Sequence, residues 1–374
     1  MSINQIAAEQ VLVAGQFLEA AAVRFQEGRI VEVSPTGASG DLFEGTLVPG
    51  FFDVQVNGGG GALFNDDPSV DTLKIISDAH RKFGTSRMLP TLISDDLEKV
   101  EASIKAVDTA ITEGVPGIMG IHLEGPFLNT AKKGVHDAKK LQKITLSHVP
   151  LLSSLKNGRT LLTLAPELAD GEVVQALLDA GVILSAGHTA ATYEQMKQAV
   201  DWGVSGFTHL FNAMTGFESR APGVVGAAFD SPDTFAGVIA DGHHVHPASL
   251  KHAIQTMGPA RTMLVTDAMP TVGAVDERFE LYGETIVAEG GRCATKEGVL
   301  AGSDLDMASA VRYAAETLGF GIMHAVEMAS RTPARFMGFD ADFGTLAPGQ
   351  RADMVLLDKN LNVSAVWVDG NRLI

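Results

Sequence analysis

The chain has 374 residues, 45% hydrophobic and 20% charged, a balance that supports a sizeable core and excludes disorder as the main state. With 28 Lys+Arg against 45 Asp+Glu the formal charge is −17, which excludes a nucleic-acid partner because phosphate backbones need clustered cations. A lone cysteine, Cys293, rules out a disulfide framework. The first cation is Arg24 and no apolar run approaches the roughly 18 residues of a membrane span, so a soluble, cytoplasmic protein without a membrane partner is expected.

In chain order, Ala21–Phe25 and Arg29–Val33 flank Gln26-Glu27-Gly28 and predict a hairpin. The segments Asp353–Leu357 and Val363–Val368 near the other end are equally β-rich. Each is marginal alone, so they are expected to join in one small β-sandwich domain made from residues 1–46 and 341–374. Between them lie eight apolar runs, Leu47–Val56, Thr85–Ile93, Gly117–Leu123, Thr160–Ala165, Gly181–Ala186, Gly203–Thr208, Thr234–Ala240 and Arg261–Thr266. Helical periodicity separates them, as over Asp170–Asp179 and Tyr193–Trp202, and again over Met307–Leu318 and Ile322–Met337 near the end. Continuous apolar strands alternating with helices predict a parallel sheet covered on both faces, and eight units fit an α/β (β/α)8 TIM-like barrel over residues 47–340. A doubly wound open sheet satisfies the same periodicity. Asn57 to Gly61 lacks the spacing of a dinucleotide fingerprint.

The runs end in chemistry. Gln55 and Asn57, His122 and Glu124, His188, His209 and Asn212, Asp241 with His243, His244 and His246, and Asp267 all follow them. In a barrel these exits converge on the C-terminal face, where active sites of that fold lie. Glu124, His188 and His209 bring one carboxylate and two imidazoles from three strand ends, a catalytic set for zinc or a similar divalent ion. Asp267 is placed to exchange a proton with water held there. His243, His244 and His246 alternate direction on an extended segment and are assigned separate roles. Cys293 reads as an inert small residue.

The blocks Pro49-Gly50-Phe51-Phe52-Asp53, His122-Leu123-Glu124-Gly125-Pro126-Phe127, Ser185-Ala186-Gly187-His188-Thr189, Thr208-His209-Leu210-Phe211-Asn212-Ala213-Met214 and Leu264-Val265-Thr266-Asp267-Ala268 resemble the N-acetylglucosamine-6-phosphate deacetylase family of the amidohydrolase superfamily, with order and spacing intact. The resemblance implies a metal-dependent barrel with a small β domain built from both termini. It implies Glu124, His188 and His209 as metal ligands, Asp267 as catalytic acid/base, and His136, beside Val135, at the acetamido group. By the same resemblance Asn212 and Ala213 bind the sugar, Arg220 and His244 hold its phosphate, and Leu300, Ala301 and Gly302 line the pocket. The implied partner is a phosphorylated amino sugar, and the implied assembly is a homodimer in which a phosphate contact can come from the neighbouring subunit. Many superfamily members carry His-x-His where this chain has Gln55-Val56-Asn57. Amides are poor ligands beside imidazole, so Gln55 and Asn57 are left as auxiliary metal or water contacts. One tightly held ion per subunit is expected, Zn2+ first, with Fe2+, Co2+, Mn2+ or Ni2+ as alternatives. The same residues fit an N-acetylgalactosamine-6-phosphate deacetylase or another amidohydrolase, since the two sugars differ at one hydroxyl. A catalytically silent barrel is the remaining reading, and retention of all three ligands and Asp267 weighs against it.

Overall fold

The structure is a computed structural model that describes residues 3–36 and 42–374; the remainder of the N-terminal segment, 1–2 and 37–41, lies outside the described residues. Seven strands from the two ends of the chain form one sheet. Asn4–Val13 pairs antiparallel with Gln16–Gln26 and parallel with Phe43–Pro49, which in turn pairs antiparallel with Met354–Leu357. The expected hairpin forms, with Phe25 opposite Ile30 and Gln26 opposite Arg29. Its turn needs positive φ at both central residues, and Glu27 (φ 52°) and Gly28 (φ 75°) supply it. This turn meets the C-terminal half: Ile30 N–H donates to the Gln350 carbonyl and Ala352 N–H to that of Gly28, each at 2.8 Å. The sheet thus closes over a core of its own that includes Ile6, Val23, Phe25, Leu47, Met354 and Trp367.

The second sheet holds eight parallel strands, Phe51–Val56, Thr85–Ile93, Gly120–Glu124, Arg159–Leu164, Ile183–Ala186, Gly206–Phe207, Phe235–Val238 and Thr262–Leu264, each beside its sequence neighbour. They match the predicted runs. Thr85–Ile93 is buried at every position, as a strand covered on both faces must be. The last strand returns to the first through a parallel bridge between Ala268 and Val56. Asp267 N–H donates to the Gln55 carbonyl and Asn57 N–H to that of Ala268, both at 2.9 Å. That closure makes a barrel and removes the open-sheet alternative.

Helix formation follows local chemistry. Tyr193–Trp202 starts at a capping box, Thr192 with Gln195, and ends at Gly203 in the left-handed region (φ 114°). Three sequence readings change. The run Leu47–Val56 is two strands, because Phe43–Pro49 belongs to the terminal sheet and Gly50 breaks the line. A side chain at Gly50 would meet Ser86 Oγ at 2.3 Å. The predicted helix Ile322–Met337 is interrupted at Ser330, giving Gly321–Ala329 and Arg331–Phe336, since the Pro333 ring excludes the carbonyl four residues earlier. Periodicity also gives no sign of a three-stranded antiparallel sheet, Arg278–Leu281, Glu284–Glu289 and Arg292–Ala294, inserted after the last barrel strand.

Barrel and terminal sheet are joined through a buried ion cluster. Arg87 of the second barrel strand donates to Asp353 at 2.6 and 3.0 Å and lies 2.9 Å from Asp369, with its guanidinium 4.7 Å from the centre of the Phe343 ring. Replacing Arg87 with Met leaves Asp353 buried without its counter-charge, which costs about 3–5 kcal/mol. Chemical unfolding of the variant should show a loss of that order; a loss below about 1 kcal/mol would mean that water or another cation satisfies Asp353.

Candidate metal centre and pocket

Glu124 ends the third barrel strand and is 2% exposed. Its Oε1 lies 3.2 Å from His188 Nε2 and 2.9 Å from His209 Nε2, and the two imidazole nitrogens are 3.1 Å apart. The backbone aims these groups at some cost, since His188 (φ 47°), His209 (φ 33°) and Asp267 (φ 52°) all occupy the left-handed region without being glycine. Strain of this kind persists where surrounding structure over-determines it, and it clusters at functional sites.

The three ligand atoms lie within 4.8 Å of one another. His188 Nδ1 donates to the Lys132 carbonyl at 2.8 Å, which turns the Nε2 lone pair toward Glu124. Burial alone would push Glu124's carboxyl up, but the adjoining His188 and His209 imidazoles outweigh it and hold the group well below the usual carboxylate range. The carboxylate also holds His209 above the ordinary histidine range, against the effect of burial. A buried negative charge faced by two imidazole nitrogens demands positive charge between them, and this donor set fits a divalent cation of zinc-like preference.

Asp267 stands beside this cluster. Asn57 Nδ2 donates to its Oδ1 at 2.7 Å and Gln55 Nε2 at 3.1 Å, while the same Gln55 nitrogen lies 3.3 Å from both oxygens of Glu124. Gln55 and Asn57, read from the sequence as auxiliary metal or water contacts, place their amide N–H groups on carboxylates. Burial, with Glu124's charge adding, pushes Asp267 up to about 6.

His136 is 2% exposed, its ring centre 4.4 Å from that of His188. The Ser94 N–H donates to His136 Nδ1 at 3.3 Å and Ser94 Oγ lies 2.8 Å from it. With Nδ1 an acceptor, the proton of the neutral ring sits on Nε2. Burial, reinforced by His188, pushes this histidine down to about 3, so it stays neutral.

A cavity of about 400 Å3 gathers Glu124, His188, His209, Asp267, Asn57 and His136 with Val135, Asn212, Ala213, His244, Leu300 and Gly302. Ala301 lies between two lining residues but turns into a small cluster with Met269 and Cys293. His244 Nδ1 lies 2.6 Å from Asp241 Oδ2, which fixes Nδ1–H as donor and leaves Nε2 for the cavity. His243 instead reaches the Gly290 carbonyl and His246 caps the helix Pro247–Met257, so the three histidines have separate tasks. His122 points into the barrel, bonded to the Val54 carbonyl at 2.9 Å and Thr163 Oγ1 at 2.7 Å. Arg220 is not brought to the cavity of its own chain; it is exposed on the loop before the helix Gly223–Phe229.

The sequence reading passed over Ser94, Lys132, Ile93, Ile239, Met269 and Val299, which also shape the site. Ser94 follows the second run directly and was open to the same strand-exit reasoning. The others are apolar or loop residues with no distinguishing signal.

The model of the Amidohydrolase family matches residues 46–373. The chain is 45% identical to an N-acetylgalactosamine-6-phosphate deacetylase of Shewanella sp. (strain ANA-3), over 97% of this chain and 94% of that protein. It is 34% identical to an N-acetylglucosamine-6-phosphate deacetylase of Haemophilus influenzae, over 88% and 87%. The crystal structure of N-acetylglucosamine-6-phosphate deacetylase from Pasteurella multocida superimposes with a TM-score of 0.94 at 31% identity, covering 99% of both chains. With the family match spanning most of the sequence and deacetylase relatives covered nearly end to end, the chain belongs to the amidohydrolase family and is a hydrolase.

Proposed function

We propose that the chain hydrolyses the acetamide of N-acetylglucosamine 6-phosphate, giving glucosamine 6-phosphate and acetate. The observation that carries this reading is the gathering of Glu124, His188, His209, Asp267 and a neutral His136 around one sugar-sized cavity. Glu124, His188 and His209 would hold a divalent cation, Zn2+ in the first place, which would supply positive charge to acidify water and polarise the acetyl carbonyl. Asp267 accepts a proton from the attacking water as the C–O bond forms. It passes that proton to the amine nitrogen as the C–N bond breaks. His136 donates its Nε2–H to the carbonyl oxygen, where charge develops. Asn212 and Ala213 contact the sugar, and Val135, Leu300 and Gly302 shape the wall.

Phosphate binding must be local, because a net charge of −17 repels an anion at long range. His244, oriented by Asp241, serves it from within the chain. Arg220, exposed and outside its own cavity, serves it from the neighbouring subunit of a homodimer. No helix among the described residues is long and apolar enough to cross a membrane.

A second reading, N-acetylgalactosamine 6-phosphate as the preferred substrate, is favoured by the 45% identity to the relative of that name against 34% to the other. Acetate release from the two 6-phosphates, with metal content measured on the same sample, decides between them. Turnover of neither would sink both.

His188→Ala should lower bound metal and turnover together. A folded variant with full metal would remove His188 from the ligand set.

Asp267→Asn keeps the shape and metal but cannot take the proton, so kcat should fall by about 10²-fold or more. In the unchanged protein kcat/KM should decline as pH drops and Asp267 gains its proton. The midpoint should lie at or below about 6, since a bound cation lowers the value set by burial. A midpoint well above that would point to a different base.

Arg220→Ala should reduce kcat/KM for the 6-phosphate by about 10²-fold while changing the unphosphorylated sugar little. Mixing it with Asp267→Asn protein should restore activity, because one site of the mixed dimer then has both groups. No recovery after confirmed subunit exchange would place the arginine in its own chain's site.

A further inference from the structure

The sheet inserted after the last barrel strand carries a residue at odds with its own backbone. Strands Arg278–Leu281 and Glu284–Glu289 are joined by the two-residue turn Tyr282-Gly283, with φ 50° and 82°. Turns with both central residues left-handed favour Asn, Asp or Gly at the first place. A tyrosine held there needs a contact that keeps it. Its hydroxyl supplies one, donating to the Ser94 carbonyl at 2.6 Å across 188 residues of sequence.

Ser94 is 1% exposed, and its N–H and Oγ are the groups that meet His136 Nδ1. One residue therefore receives the hairpin on its carbonyl and orients the imidazole with its other polar groups. Tyr282 and His136 also line a common cavity of about 510 Å3 between the loop Lys133–Lys139 and the hairpin. The insertion has independent support: Leu281, Ile286, Ala288 and Cys293 pack with Ile93 and Met269. Loss of the tyrosine hydroxyl therefore leaves the hairpin seated while freeing the Ser94 carbonyl.

We propose that Tyr282 is a positioning residue for amide hydrolysis, pinning Ser94 so that His136 keeps its Nε2–H directed at the acetyl oxygen. The role rests on the reading of His136 as donor to that oxygen. With Tyr282 absent, Ser94 can shift, the Nδ1 acceptor contact weakens, and the ring samples orientations and tautomers that do not serve the carbonyl. Binding of the sugar phosphate and of metal involves other groups and is unaffected.

The test is a double-mutant cycle on the metal-loaded protein with the 6-phosphate substrate. Tyr282→Phe should lower kcat by about 10-fold, the scale at which orienting partners of functional imidazoles act. KM should stay within about twofold, and metal content and Tm should match the parent. In a His136→Ala background the same change should leave kcat unaltered, because the group it positions is gone. Nitrogen NMR of the imidazole in the zinc-loaded Tyr282→Phe protein should show His136 losing its single Nε2–H form. That measurement stands even if His136→Ala does not fold. An equal loss in both backgrounds, or no loss in the parent, overturns the proposal. If His136→Ala itself turns over like the parent, the donor assignment fails first, and the positioning role with it.

Discussion

A carboxylate sealed from water is tolerated only against compensating positive charge, and Glu124 imposes that demand on the C-terminal face of the barrel. Two imidazoles face it there, from strand ends that must turn sharply to deliver them, and both histidines sit in backbone conformations that side chains rarely adopt. Gln55 spans from Glu124 to Asp267 and keeps the second carboxylate near the first. Two acids so close would ordinarily repel; the amide donors between them, together with a divalent cation when bound, would make the pair sustainable. In the proposed reaction the same proximity would serve proton transfer, since burial and the neighbouring charge push Asp267 up to about 6.

The barrel closes where its ladder is thinnest. First and last strands meet through one bridge and a few backbone bonds, and Asp53 strengthens the seam. Its carboxylate accepts from Thr266 Oγ1 at 2.5 Å and from the Gln55 N–H at 3.1 Å, and burial pushes it up to about 7. Because Thr266 precedes Asp267 and Asp53 precedes Gln55 by two residues, the clasp that shuts the barrel also sets the spacing of the Asp267 carboxylate from its amide donor.

Histidine serves several physical purposes in this molecule. His188 and His209 face the candidate cation site, and His136 is a buried neutral ring. His244 is oriented by Asp241, and His122 is a buried spacer between two strands. The assignments of His188, His136 and His244 follow from what one ring nitrogen bonds, the Lys132 carbonyl, the Ser94 N–H and the Asp241 carboxylate in turn. Residue type alone does not distinguish them.

Much of this was legible in the linear chain, for a physical reason. Strand burial on both faces writes continuous apolar runs, and the polar residue that ends such a run must sit at the mouth of a barrel, so Glu124, His188, His209 and Asp267 could be read together. Helix signals are equally local: the capping box at Thr192 and the glycine at Gly203 mark their helix without reference to anything distant. What only the tertiary structure decided depends on separation in sequence. Closure through Val56 and Ala268 leaves no periodic trace, and the break at Gly50 answers to Ser86 on another strand. The inserted hairpin, with short strands and most of its residues exposed, carries too little apolar alternation to announce itself. The tautomer of His136 and the reach of Tyr282 to Ser94 exist only once three distant segments meet. Hydrogen-bond direction is a property of neighbours in space, and sequence order does not record it.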